Sequence, residues 1–158
     1  MGTLFSEGTE KLLDQVGWQI LREMQLNSRI PFNELGRRVG LSAPAVAERV
    51  RRMEEAGIIC GYRTEVSLKQ VGFGVQAIIR LAVNGNCRWE GMKINTEHGL
   101  ILECHRITGN DCYFIKVASP TVGDLEKLID EFASYGQTTT SIILSSPVPG
   151  NLLFNMEE

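Results

Sequence analysis

Between Gly40 and Ile59 the sequence reads GLSAPAVAERVRRMEEAGII. Its chemistry is cationic, with Arg49, Arg51 and Arg52 set beside Glu48, Glu54 and Glu55. A guanidinium is a planar fork that donates two parallel hydrogen bonds, a geometry that suits a phosphate or a guanine edge. Upstream stand Ser42, Ala43, Pro44, Ala45 and Ala47, small enough to let a helix N-terminus approach base edges. Ser42 is a good N-cap, and Pro44 falls in the first turn, where no backbone donor is lost. Val46, Val50 and Met53 repeat at helical spacing and predict a buried stripe. Opposite lie Pro44, Ala47, Glu48, Arg51, Arg52 and Glu55, with Arg49 at the flank and Gly57 placed to end the helix. The arginines are expected mainly at phosphates, with Arg51 or Arg52 placed to read a base. A solvated helix tied by Glu48–Arg52 pairs would carry the same residues, so the neighbouring elements must decide.

Residues 10–26, EKLLDQVGWQILREMQL, place Leu13, Val16, Ile20, Leu21 and Met24 at helical spacing. Gly17 weakens that helix interior by roughly 1 kcal/mol against alanine. NSRIPF breaks the pattern, and Asn33 could cap a second helix, NELGRRVG, ending at Gly40 with Leu35 and Val39 inward. After the third helix, Ile58 and Ile59 suggest a short strand, Gly61 a turn, and Tyr62 to Val66 a return strand, together a small wing. Three helices, a tight turn between the second and third, and a wing make a winged helix-turn-helix. The whole chain carries −3, which argues against a protein basic all over, yet residues 29–63 hold seven arginines against four glutamates. The expected contacts to double-stranded DNA are Ser42, Ala43, Pro44, Ala47, Glu48, Arg51 and Arg52, with Tyr62 and Arg63 from the wing.

Past residue 70 the character changes. Residues 64–74 read as a linker between a first domain, 1–63, and a second, 75–158. VQAIIRLAV (75–83), LILECHRI (100–107), CYFIKVA (112–118) and TTTSIILS (138–145) are strand-like. CRWEGMKINTEH (87–98) reads as an indistinct helix. SPTVGDLEKLIDEFASYG holds a helix with Val122, Leu125, Leu128, Ile129 and Phe132 on one side, and Thr121 and Asp124 at capping-box spacing. The order is βαββαβ, a ferredoxin-like α+β unit. Apolar residues on both faces, as at Ile78, Ile79 and Leu81, suggest that the open face is covered by another subunit. In the TGND turn, Gly109 and Asn110 suit a hairpin, and Asp111 could accept from an ammonium group, with hydroxyls from TTTS nearby.

Other chemistries find less support. Cys60, Cys87, Cys104 and Cys112 contain no C-x-x-C pair, and reduced, partly buried thiols are expected. Adjacent Cys104 and His105 face opposite ways in a strand, so with His98 and Cys112 they make poor metal geometry. GFGVQA (72–77) imitates a dinucleotide fingerprint, but a strand follows where a helix is needed. No catalytic constellation stands out, and neither enzymatic activity nor a cofactor or metal is expected. No apolar run reaches the roughly 18 residues of a membrane span, and the N-terminus lacks the order of a secretory signal. A cytoplasmic protein with no membrane partner is expected.

The stretch Asn27 through Tyr62 matches a longer pattern: Asn/Asp-x-Arg, then Glu-Leu-x-x-x-Val-Gly-Leu-Ser, then Arg-Val-x-x-x-Glu-x-x-Gly-Ile-Ile-x-Gly-Tyr. With ECHRITGNDCYFIKV and YGQTTTSIILS further on, the chain resembles the Lrp/AsnC (feast/famine) transcription regulators over about residues 11–148. The resemblance implies a winged helix-turn-helix joined to a βαββαβ domain that pairs sheet to sheet into dimers, commonly assembled into octamers as tetramers of dimers. It implies DNA as partner and an amino-acid effector held between dimers, lined here by Gly109, Asn110, Asp111, Thr138, Thr139 and Thr140. The sequence departs from the family at Gly17, usually acidic, at Cys112, often aromatic, and over 87–99, where His98-Gly99 replaces a Pro-containing turn. The function expected is a sequence-specific DNA-binding regulator modulated by an amino acid. The rivals are an effector-independent architectural DNA-binding protein and a small-molecule-binding ferredoxin-like protein without a DNA role.

Overall fold

The computed structural model describes residues 7–83, 85, 88–148, 150 and 153. They fall into two compact units, Met1–Thr64 with Val148–Glu158, and Glu65–Pro147. The sequence predicts a second domain running on to residue 158. Residue 153 instead groups with the helices, where the Gln25 side chain holds its backbone: Gln25 Nε2 donates to the Leu153 carbonyl (3.1 Å) and Leu153 N–H donates to Gln25 Oε1 (2.8 Å).

The helical unit contains α1 (Glu7–Leu12), α2 (Gln15–Leu26), α3 (Phe32–Val39) and α4 (Ala43–Glu55). The single helix expected over 10–26 is broken in two. Asp14 caps α2, accepting from Gly17 N–H at 2.7 Å. A Cβ on Gly17 would lie 1.9 Å from the Leu12 carbonyl oxygen, so the glycine permits the break rather than weakening a continuous helix. Asn33 does not cap α3; Pro31 occupies that position without a side-chain bond. The turn into α4 is tight because Gly36 is bare: a Cβ there would meet the Leu41 carbonyl oxygen at 2.4 Å. Ile20, Leu35, Val46 and Met53 have no exposed surface, and Met24, Ile30, Val39 and Val50 complete the core.

The expected wing strands do not form. Residues 60–66 carry no regular structure. The reason lies at the end of α4, where Gly57 turns left-handed (φ 70°) and donates to the Glu54 carbonyl (3.0 Å). Ile58 and Ile59 N–H both donate to the Met53 carbonyl, at 2.9 and 3.1 Å. This is a Schellman-type helix end, and it commits the donors a strand would need. Ile58 and Ile59 then pack against the helical core.

The second unit is a four-stranded antiparallel sheet in the order β2-β3-β1-β4, with β1 at Val75–Val83, β2 at Leu100–Arg106, β3 at Tyr113–Ser119 and β4 at Gly136–Ile142. One helix, α5 (Val122–Ala133), covers one face. Thr121 caps it, accepting from Asp124 N–H (3.1 Å) and donating to Asp124 Oδ2 (2.6 Å). Leu125, Leu128 and Phe132 are buried against Ala77, Ile79, Leu81, Ile115 and Val117. Val122, expected on that side, is 60% exposed in the first turn. The helix expected over 87–98 reduces to one 3-10 turn, Trp89–Gly91. Tyrosine hydroxyls hold its neighbourhood instead: Trp89 N–H donates to Tyr113 Oη (3.0 Å) and Lys93 N–H to Tyr135 Oη (2.8 Å). Donors held by distant side chains are not available for a helical ladder.

Candidate nucleic-acid interface and effector cleft

Ser42 Oγ accepts from Ala45 N–H at 3.4 Å and fixes the start of α4. With Val46, Val50 and Met53 buried, the helix must turn Pro44, Arg51 and Arg52 to solvent, with Ala43, Ala47 and Glu48 half-buried beside them. The small side chains hold the N-terminal end of this face and the arginines its C-terminal end.

Those arginines are held by carboxylates. Arg51 donates to Glu48 through Nε (2.9 Å) and Nη2 (2.8 Å), and also pairs with Glu55. Arg52 Nε donates to Glu48 at 2.8 Å. Hydrogen bonds from Arg51 and Arg52 draw the Glu48 carboxyl down to about 2, and the Arg51 guanidinium is raised in turn, chiefly by Glu48. Arg49 serves another purpose. It bonds Asp14 at 2.6 Å and so ties α4 to the cap of α2, while its Nε is buried without a partner. Burial raises the Asp14 carboxyl, but the Arg49 and Gly17 hydrogen bonds outweigh it and leave Asp14 below its ordinary value. Tyr62 is half-exposed and donates to Glu54 at 2.7 Å; burial, then that bond, pushes its phenol up to about 12. Tyr62 and Arg63 stand on an irregular segment beyond α4, not on a wing. In α3, Arg38 bonds Glu34 (3.1 Å) and Glu23 (2.5 Å), and Arg37 pairs with Glu34.

In the sheet unit a cleft of about 450 Å³ lies at the 106–113 turn. Gly109 and Asp111 line it, whereas Asn110 between them is exposed and off its wall. The three threonines divide by strand alternation. Thr139 pairs with Arg80 across β1 and β4 on the uncovered face, while Thr138 and Thr140 pair with Leu81 and Ile79 on the covered face. The Thr140 hydroxyl is buried without a partner. Arg80 joins the two regions, since its guanidinium reaches Asp111 at 3.5 Å. Sequence reasoning missed Arg80, Arg88 and Arg106, the last two lining the cleft with Tyr113. A charge inside the apolar run VQAIIRLAV was the available signal for Arg80. Arg88 and Arg106 carried none, because the fold brings them together from separate segments.

Cys104 pairs with Ile115 on the covered face and His105 with Phe114 on the other, the alternation expected. Burial raises the Cys104 thiol. Cys60, Cys104 and Cys112 are free thiols; Cys87 lies outside the described residues. Among the described residues no helix is long and apolar enough to cross a membrane, and no group of three or more His, Cys, Asp or Glu could hold a metal ion.

A helix-turn-helix carrying an arginine-bearing second helix, followed by an antiparallel α+β domain, defines a two-domain transcription regulator. The AsnC-type helix-turn-helix domain matches residues 13–54, and the Lrp/AsnC ligand binding domain matches residues 95–153. The chain is 37% identical over 134 residues to the HTH-type transcriptional regulator LrpC of Bacillus subtilis (strain 168), covering 84% of this chain and 92% of that one. The solved structure of B. subtilis LrpC superposes with a TM-score of 0.76 at 34% identity, over 87% of this chain and 99% of that one. The leucine-responsive regulatory protein of Escherichia coli (strain K12) is 29% identical over 90% of this chain and 92% of that protein. The L-Met complex of the Neisseria meningitidis regulator NMB0573 shares the fold, with a TM-score of 0.78 at 23% identity over 89% of this chain and 96% of that one. The chain belongs to the Lrp/AsnC family of transcriptional regulators, with a DNA-binding helix-turn-helix domain and a ligand-binding domain.

Proposed function

We propose that the chain is a cytoplasmic, sequence-specific DNA-binding regulator that acts as an oligomer and responds to an amino acid. The observation that carries this reading is α4, whose buried Val46, Val50 and Met53 leave small residues and two arginines together on its outer face. Ser42, Ala43, Pro44 and Ala47 approach base edges, Arg51 and Arg52 exchange Glu48 for phosphate or guanine, and Tyr62 and Arg63 meet the flanking backbone. Glu48 then serves as the exchanging partner or accepts from a cytosine amine.

Two copies pair through the uncovered sheet face, where Ile78, Ala82 and Phe114 are half-buried, and set the spacing of half-sites; four such dimers make the octamer. The effector sits at the 106–113 cleft. Arg88 and Arg106 complement a carboxylate, Asp111 an ammonium group, and the Gly109 backbone completes the wall; of the three threonines, Thr139 alone lies on the uncovered face, where a partner copy reaches it. An effector that binds one assembly state more tightly than another shifts the DNA-binding equilibrium by that difference.

The deciding experiment is a titration against the promoter of the protein's own gene and against unrelated DNA, at two salt concentrations, with and without mixed amino acids including methionine. Tighter promoter binding that shifts with the mixture is expected. Equal, salt-sensitive binding to both DNAs would replace this reading with an architectural one. Binding to neither, in promoter and genomic-fragment selections alike, would leave the reading without DNA.

A further inference from the structure

A groove of about 400 Å³ runs along the helical unit between α2 and the segment after α4. Trp18, Leu21 and Met24 form one wall and Ile58 and Ile59 the other, with Gln25 at the rim. Leu153 also lines it. Its side chain is not the anchor, being 74% exposed. The anchor is its peptide backbone. Gln25 reads both polar groups of that one residue, donating to its carbonyl at 3.1 Å and accepting from its N–H at 2.8 Å. A side-chain amide used this way mimics a neighbouring strand, so it selects an extended backbone rather than a side chain. The same groove is bounded by Tyr62 and Arg63, so whatever fills it restrains the segment leaving α4.

We propose that this groove is the docking site for the chain's own Leu153, whose backbone Gln25 holds. Docking fixes residues 58–63 beside α4 and raises the affinity of the helical unit for DNA. Leu153 acts as a latch, and releasing it loosens the flank of the DNA-binding surface without touching α4 itself. The link to DNA rests on the reading of α4 given above, whereas docking itself is measurable without DNA.

The test uses the full chain carrying Trp89→Phe, so that Trp18 is the remaining tryptophan, compared with Gln25→Ala and with a chain ending at residue 147. Two intramolecular hydrogen bonds of ordinary strength correspond to about a thirty-fold change in the docking equilibrium. Acrylamide quenching of Trp18 is therefore expected to rise in both variants, and a synthetic peptide of residues 148–158 is expected to restore it in the shortened chain but not in Gln25→Ala. Affinity for nonspecific DNA should fall by about three- to ten-fold in both. Unchanged quenching in both variants overturns the docking. Raised quenching with unchanged DNA affinity overturns the coupling to DNA, provided the intact chain binds. If the intact chain binds no DNA, the reading of α4 fails while quenching still decides the docking. Circular dichroism at matched concentration separates a released latch from an unfolded helical unit.

Discussion

The helical unit and the sheet unit satisfy their backbones by different routes. At the helix ends of the first, the deciding groups are close in sequence: Asp14 caps onto Gly17, Ser42 onto Ala45, and Gly57 closes onto Glu54. In the second they are far apart. Central β1 pairs Ile79 with both Ile115 and Thr140, and Tyr135 holds the amide of Lys93. Local closure leaves a signature in a short stretch of sequence, whereas distant closure shows only once the chain has folded.

The strongest way to break this contrast is through the cores. Phe132 fills the sheet core and Met53 the helical core, both with no exposed surface. Phe132→Ala should cost the sheet unit about 3–5 kcal/mol and Met53→Ala should cost the helical unit about 2–5 kcal/mol. Trp18 and Trp89 report the two units separately, once each is made the remaining tryptophan. The urea midpoint should fall chiefly at Trp89 for Phe132→Ala and chiefly at Trp18 for Met53→Ala. Equal shifts at both reporters would show one cooperative structure in place of two.

A smaller contrast lies in two glycines, Gly36 within α3 beside the turn into α4 and Gly91 in the 3-10 turn. A methyl group on Gly36 would meet the Leu41 carbonyl oxygen at 2.4 Å, whereas one on Gly91 would meet nothing within 4 Å. Gly36→Ala is expected to destabilise by about 1–3 kcal/mol because backbone must move, and Gly91→Ala to stay within about 0.5 kcal/mol of the parent. Thermal melts of the two variants check the pair. A tolerated Gly36→Ala would remove the reason given for the tightness of the α3–α4 turn.

The same distinction accounts for what the sequence made legible. The α4 stripe, its Ser42 cap and the α5 cap at Thr121 are local signals, and each stands where expected. The wing was misread because Ile58 and Ile59 are strand-like residues whose amides are taken by the end of α4. The 87–98 helix was misread because its donors go to tyrosines brought near by β3 and by the turn after α5. At the cleft, Gly109 and Asp111 could be read from the turn. Arg88 and Arg106 could not, since nothing in either segment names the other. The three threonines looked equivalent until strand alternation sent Thr139 to one face and Thr138 and Thr140 to the other.

On α4, the helix proposed to meet DNA, the expected effects act on binding more than on folding. Replacing Arg51 and Arg52 together by alanine should leave circular dichroism unchanged and weaken DNA binding at every sequence. If each meets one phosphate, the slope of log affinity against log salt should fall by about 2. An unchanged slope with unchanged affinity would remove the outer face of α4 from the interface. In the sheet unit the corresponding variant is Asp111→Ala, expected to keep the oligomer and DNA binding but lose the response to amino acids. A retained response would move the effector away from the 106–113 cleft.

The subtlest test concerns Glu48, which accepts hydrogen bonds from both arginines. Its carboxyl titrates near 2 in the folded chain against an ordinary 4.5, because Arg51 and then Arg52 hydrogen-bond to it. A lowered folded value means that the charged form is favoured by folding. The stabilisation is fully present above about 4.5 and is lost as pH falls toward 2. Glu48→Gln should therefore flatten the acid dependence of α4 helicity within that window and change little near neutrality, since the pairs are solvent-exposed. The same substitution removes the competitor for phosphate. If Glu48 holds the arginines until DNA displaces it, Glu48→Gln should tighten binding to unrelated DNA at low salt by about two- to five-fold. If Glu48 instead reads a cytosine, unrelated DNA is unaffected and the promoter alone is bound more weakly. Titrating both DNAs with the one variant separates the two roles. An unchanged affinity for both would leave Glu48 with the intrahelical pairing alone.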